Sequence, residues 1–311
     1  MTNHAYMRIR LILLLAVLIA GSAGAGLALA VSSDEDTATA QVALSRGLTV
    51  PAASAGHTWA PAGQATLGPG VQTYTGGGQC TANFVFIDAA KHVYLGQAAH
   101  CAEVKESHSD GCHIRTRPLG TRVAFNSGGF WSDSGKPVGG GTLAYSSWRT
   151  MQRLHESDHT TCAYNDFALV RIDPQYTDQV NPSLPYWGGP SGLNTTGAYA
   201  GERLHGYGNS SLRGGATQLS PQTGDALRDD PAAHGWSHTF QSSTPGIPGD
   251  SGSAWLDAHG RAIGTLSTLS LSVPIINATG DIARELAYAQ QHSGIKGMKL
   301  VLGTRQFRTS P

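Results

Sequence analysis

Short apolar runs separated by glycine- and serine-rich turns dominate the chain. Phe84-Val85-Phe86-Ile87 and Val93-Tyr94-Leu95 read as strands that lead to His100. Phe167-Ala168-Leu169-Val170-Arg171-Ile172 reads as a largely buried strand with Asp166 at its mouth. Asp281 to Gln291 has helical spacing instead: Ile282, Leu286 and Ala289 share one face, and Asp281 stands near the N-terminus. Forty of the 311 residues are glycine, well above an ordinary usage of about 7%. Together these features predict an all-β fold with many turns, and composition alone leaves barrel and sandwich both open. Asn181 to Gly192, with Pro182, Pro185 and Pro190, reads as a linker between two halves.

The N-terminal pattern is different. Arg8 and Arg10 precede an uncharged run from Leu11 to Val31, and Ala28-Leu29-Ala30 forms a processing site. Residues 1–30 therefore read as a signal peptide cleaved before Val31. The competing reading is a retained membrane anchor, since the run is long enough to span a bilayer. Both put the remainder outside the cytoplasm. Residues 31–68 are rich in Ala, Ser, Thr, Gly and Pro and carry Asp34-Glu35-Asp36, which predicts a flexible leader or pro-segment. Residues 69–311 are then the folded domain. Lys plus Arg and Asp plus Glu both number 21, so neither nucleic acid nor an anionic membrane is an expected partner. The four cysteines allow three pairings, and export favours disulfides over free core thiols.

Three polar residues stand in settings that suit one chemistry. Ser251 lies within Gly249-Asp250-Ser251-Gly252-Ser253, His100 within Ala98-Ala99-His100-Cys101, and Asp166 within Asn165-Asp166-Phe167-Ala168-Leu169-Val170. A serine hydroxyl needs a neighbouring base to become a nucleophile. Histidine suits that role near neutral pH, and a shielded carboxylate holds its tautomer. Glycines around Ser251 permit a tight turn whose N–H groups, those of Gly249 and Ser251, could receive an oxyanion.

On these residues the chain resembles the trypsin-like, chymotrypsin-fold serine peptidases, especially their secreted bacterial branch. The family's AAHC, D-[IF]-A-L and GDSG patterns match Ala98 to Cys101, Asp166 to Leu169 and Gly249 to Gly252, and Gly206-Tyr207-Gly208-Asn209 looks like its G-W-G-N segment. The resemblance implies two packed antiparallel six-stranded β-barrels, at about 71–173 and 198–276, with a C-terminal α-helix at about 281–291. It implies a Ser-His-Asp triad of Ser251, His100 and Asp166, an oxyanion hole at Gly249 and Ser251, and an endopeptidase acting on protein or peptide substrates as a secreted monomer without cofactor or metal. Resemblance and spacing favour the disulfide Cys80–Cys101, which leaves Cys112 with Cys162, each stabilising by about 3–4 kcal/mol. His100 and Asp166 are 66 residues apart, more than is usual for the family, which predicts inserted surface loops. Pro245 stands where trypsin-type enzymes carry an aspartate, and Ser267-Thr268-Leu269 replaces the family's S-W-G substrate strand. These residues predict a pocket that is narrow or blocked and not built for Arg or Lys. Arg203 is a candidate partner for Asp250, the alternative being a solvated surface arginine.

Other classes fit less of the sequence. His155-Glu156-Ser157-Asp158-His159 has the letters of a zinc-peptidase helix, with His155 and His159 as ligands and Glu156 as base. Ser157 and Asp158 suit a buried helix poorly, so a loop is expected. An α/β-hydrolase esterase needs G-x-S-x-G, and Ser253 breaks that pattern. A non-catalytic binding protein on a peptidase fold is the rival of a different kind, favoured by Leu269 and Pro245.

Overall fold

A computed structural model describes residues 57–104, 110–131, 133–270 and 275–310. The signal peptide or anchor, its cleavage site and leader residues 31–56 lie outside the described residues. The first half holds seven strands: β1 (Gln72–Thr75), β2 (Gly78–Thr81), β3 (Val85–Ile87), β4 (Val93–Gln97), β5 (Arg122–Ser127), β6 (Lys136–Ser146) and β7 (Ala168–Ile172). Two helices, α1 (Ser147–Leu154) and α2 (His159–Tyr164), interrupt it between β6 and β7. Six strands follow: β8 (Arg203–Tyr207), β9 (Pro221–Ala226), β10 (Ser237–Ser242), β11 (Ala254–Leu256), β12 (Ala262–Ser270) and β13 (Ile276–Asp281). Helix α3 (Ile282–His292) and a last strand, β14 (Lys299–Leu300), complete the described chain.

β8 to β13 close into a six-stranded antiparallel barrel in the order β10-β13-β12-β11-β8-β9. The other strands form one eight-stranded antiparallel sheet, β14-β3-β4-β7-β6-β5-β1-β2, in place of the second six-stranded barrel expected. The difference has two sources: β14 returns after α3 to extend one edge, and the β1–β2 hairpin forms the other. The sheet is nevertheless strongly curled. β2 and β3 are separated by only Ala82, Asn83 and Phe84, a reach of about 14 Å, while six flat strand spacings would put them about 29 Å apart.

The continuous apolar runs belong to strands buried on both faces. Val85, Ile87, Leu95, Val170 and Ile172 point into the core of the curled sheet with Val123, Phe125 and Leu143. Their alternate neighbours Phe84, Phe86, Tyr94, Phe167 and Leu169 join a second core with Trp187, Leu256 and the α3 residues Ile282, Leu286 and Ala289. Phe86 and Phe167 meet edge to face at 5.4 Å. Asp281 caps α3 by accepting the Arg284 N–H at 2.8 Å. β13 carries the barrel through to Asp281, past the boundary at 276 that the sequence suggests. Part of the expected leader is also built in: Leu67 is buried in the first core, Ala60 N–H donates to Val180 O and Asn181 N–H to Leu67 O. An apolar side chain that finds a core anchors its segment, and the packed body starts by residue 57. No helix among the described residues is long and apolar enough to cross a membrane.

Candidate active site

His100 lies in a short 3-10 turn, Ala99–Ala102, that follows β4. The Cys80–Cys101 disulfide ties this turn to β2. The turn is pressed against the mouth of β7. Ala99 N–H donates to Asp166 O at 3.1 Å, and His100 N–H donates to Asp166 Oδ1 at 2.8 Å. His100 Nδ1 lies 2.6 Å from Asp166 Oδ2, and the Ser267 hydroxyl donates to that same oxygen at 2.6 Å. One carboxylate thus fixes both the main chain and the ring of His100. A carboxylate at Nδ1 requires a proton there, which leaves Nε2 as the basic nitrogen of the neutral ring. Burial pushes the His100 imidazole down, but the charge and hydrogen bond of Asp166, helped by Glu103, prevail and raise it above its ordinary 6.5.

Ser251 lies in a tight turn before β11, and that turn rests on the other half of the molecule. Thr81 N–H donates to Ser251 O at 2.8 Å, and the Thr81 hydroxyl donates to Gly249 O at 2.8 Å. Gly252 has φ +85°, and a Cβ there would lie 2.7 Å from Ala98 N and 2.8 Å from Thr81 O. Only glycine lets the serine turn approach the segment carrying His100. Asp250, Gly252 and Ser253 donate their N–H groups to the carbonyls of Ile247, Leu266 and Asp250, whereas those of Gly249 and Ser251 have no acceptor among the described residues. Two neighbouring unengaged donors beside a hydroxyl are what a developing oxyanion needs.

Asp250 holds this turn. Its carboxylate is fully buried, accepts the Ser210 N–H at 2.9 Å and the Ile247 N–H at 3.0 Å, and is ion-paired with Arg213. Gly208 is bare because a Cβ there would sit 2.4 Å from Asp250 Oδ1. Arg203 is not the partner: it stands opposite Asp225 in the β8–β9 register and pairs with that exposed carboxylate at 3.0 Å. Its strand position turns it outward, while Arg213 arrives from the following loop. Sequence reasoning missed Arg213, for which no local signal exists.

Ser251 borders two cavities. One, of about 390 Å³, is lined by His100, Gln79, Glu103, Arg117 and Gly249 among others. The other, of about 160 Å³, is lined by Gly246, Ile247, Pro248, Leu266, Ser267, Thr268, Leu269 and Asn277. Of the sequence-derived pocket residues, Ser267, Thr268 and Leu269 line the smaller cavity; Pro245 does not, its carbonyl instead accepting from Arg213 at 3.2 Å. Asn277, missed by the sequence reading, closes the cavity: it accepts the Gly246 N–H at 3.0 Å and donates to Thr268 O at 3.3 Å. No charged side chain is among these lining residues.

The insertion between His100 and Asp166 is partly helical. Cys112–Cys162 closes it with a Cα–Cα distance of 5.2 Å, and Trp148 of α1 stands 6.4 Å from the His100 ring. The zinc-peptidase reading fails here. α1 ends at Leu154, His155 is left-handed with φ 52°, and His159 opens α2. The two histidines therefore do not share a helix face, and Glu156 turns to accept the N–H groups of Ser157 and Asp158. The two His/Cys/Asp/Glu clusters among the described residues, Cys80 with His100 and Cys101, and Asp110 with Cys112 and Cys162, each rely on sulfurs already joined to one another.

No protein-family model and no curated protein sequence matches the chain. Among solved structures it is similar to protease A of Thermobifida fusca, at 19% identity over 76% of this chain and 100% of that one, with a TM-score of 0.45. A Nocardiopsis protease matches at 16% identity over 75% and 97%, TM-score 0.44. A chymotrypsin of Cellulomonas bogoriensis matches at 16% over 71% and 95%, TM-score 0.42.

Proposed function

We propose that the protein is an exported serine endopeptidase that cleaves peptide bonds through an acyl-enzyme. The observation that carries this reading is the 2.6 Å contact of His100 Nδ1 with a buried Asp166 carboxylate, on a ring that shares one cavity with Ser251. In the proposed reaction Ser251 Oγ attacks the substrate carbonyl carbon as its proton passes to His100 Nε2. The carbonyl oxygen takes the negative charge and is received by the N–H groups of Gly249 and Ser251. His100 then gives its proton to the departing amine. Water, deprotonated by the same ring, releases the acid and restores Ser251. Asp166 holds the ring and balances its charge throughout.

The smaller cavity would take the side chain that precedes the scissile bond. Its uncharged lining favours an uncharged side chain over Arg or Lys. The Asn277 amide is already engaged with backbone groups, so it offers little to an acidic side chain. Residues 1–30 would direct export, leaving the peptidase outside the cell.

A serine-directed phosphonate probe tests the reading. Labelling should map to Ser251 and disappear in Ser251→Ala and in His100→Ala. Ser251→Ala should also lower peptide turnover by on the order of 10⁶-fold. A folded wild-type protein that takes no label and cleaves no member of a peptide library would favour a binding module in its place.

A further inference from the structure

Glu285 is a carboxyl in the wrong company. It lies in the first turn of α3, is 0% exposed, and falls on the same face as Ile282, Leu286 and Ala289, which pack into the core shared with Phe167 and Leu169. An apolar side chain would fill this place without the penalty of burying a polar group. Room has even been made for it: a Cβ on Gly280 would lie 2.2 Å from Glu285 Oε1.

What the carboxyl gains is a hold on Asp166. Glu285 Oε1 accepts the main-chain N–H of Asp166 at 3.1 Å. The second carboxyl oxygen, Oε2, is buried without a hydrogen-bond partner among the described residues. From β12, Ser267 holds the other end of Asp166, its carboxylate, at 2.6 Å. The chain next to Asp166 is equally constrained: Phe167 N–H donates to Ser147 Oγ at 3.0 Å, and that hydroxyl donates to Asn165 O at 2.8 Å. The entry to β7 is therefore held by side chains of α3 and α1 as well as by β12 and the turn that carries His100.

We propose that Glu285 is a positioning residue for the His100–Asp166 pair: by receiving the Asp166 N–H from behind, it sets the direction in which the Asp166 carboxylate meets the imidazole. Its charge state fits this task. Burial, with the nearby Asp166 and Asp281 carboxylates, pushes the Glu285 carboxyl well above its ordinary range, which favours its neutral form over one that would compete with Asp166 for the imidazolium. The Tyr145 hydroxyl, the other titratable group it influences, is itself pushed well above its ordinary value by burial and stays neutral.

The proposal rests on the peptidase reading only for its consequence in turnover. The test compares Glu285→Gln with Glu285→Leu by active-site-titrated kinetics and by the low-field proton resonance of His100 Nδ1–H. Glutamine can still accept the N–H and is neutral, so kcat should stay within about threefold and the acid limb of kcat/KM should not move. Leucine cannot accept it; kcat should fall on the order of 10²-fold at unchanged KM, as expected for a small misplacement of a catalytic group, and the resonance should shift. If the leucine variant does not fold, Glu285→Asp, which is too short to reach, replaces it with the same expectation. A folded leucine or aspartate variant with wild-type kcat and an unshifted resonance would overturn the proposal. Should the wild type prove inert to the phosphonate probe, the resonance still reports Glu285's hold on the pair, so the two ideas fail separately.

Discussion

His100 and His238 each lie against aspartate at hydrogen-bond distance. His100 Nδ1 is 2.6 Å from Asp166. His238 meets Asp229 through Nδ1 at 2.7 Å and Asp281 through Nε2 at 2.8 Å. The second histidine has given both ring nitrogens to carboxylates and is 2% exposed. Burial pushes its imidazole down, but two charge-assisted bonds outweigh that and raise it to about 9. It is a fixed cation that clamps Asp281, the cap of α3, to the loop bearing Asp229. Only one nitrogen of His100 is committed to a carboxylate among the described residues, and its ring borders the cavity that holds Ser251. A short histidine–carboxylate distance is thus no mark of a general base; a second nitrogen left to the cleft is.

The largest expected break in this comparison is at His100. His100→Ala should lower kcat by on the order of 10⁶-fold and Asp166→Asn by about 10⁴-fold, while His238→Gln, assayed where it is folded, should leave kcat within a few-fold. Steady-state kinetics with one peptide substrate checks all three. A large loss at His238 would mean that the clamp matters to chemistry.

A second contrast concerns arginines. Arg213→Ala leaves the buried Asp250 without its cation and should destabilise by about 3–5 kcal/mol, with loss of the phosphonate reaction as the oxyanion turn relaxes. Arg203→Ala removes only an exposed pair, half accessible on both sides, and should change stability by less than about 1 kcal/mol. Urea unfolding measures both; equal effects would show that Arg213 is not what secures the turn.

The remaining contrast lies in pH-dependent stability. Folding raises His238 from its ordinary 6.5 to about 9, so its stabilisation is fully present below pH 6.5 and is lost as the pH climbs to 9. The shift is worth about 3 kcal/mol. His100, also raised, acts with the same sign. The difference in unfolding free energy between wild type and His238→Gln should therefore shrink across that window, and a constant difference would contradict the clamp.

Much of the site was legible in the residues. His100, Asp166 and Ser251, the residues of the proposed triad, stand out because each proposed role demands a particular side chain within a particular turn, and those turns leave short local patterns. Arg213 left none, since its partner is set by where a loop lands. Helix α1 was readable in principle: Ser146 accepts the Arg149 N–H as a cap, and Trp148 and Met151 are spaced for one face, but eight residues make a weak period. Glu285 is an acidic residue on the apolar stripe of α3, an oddity in the sequence that a solvated helix flank of the same spacing would produce equally well. The eight-stranded sheet could not be read at all, because Lys299–Leu300 is too short to carry a strand signature and gains its partner only from the return of α3.

That last strand has a consequence for how the molecule is made. β14 pairs with β3, Lys299 opposite Ile87 and Leu300 opposite Phe86, and Val301 N–H donates to Val85 O. A ribosome delivers these residues long after it has released the strand they bind. Until then one border of the early sheet stays unsealed, with its hydrogen-bonding groups open to any passing extended peptide. A sheet edge sealed by so distant a later segment stays exposed to misassociation until that segment has emerged.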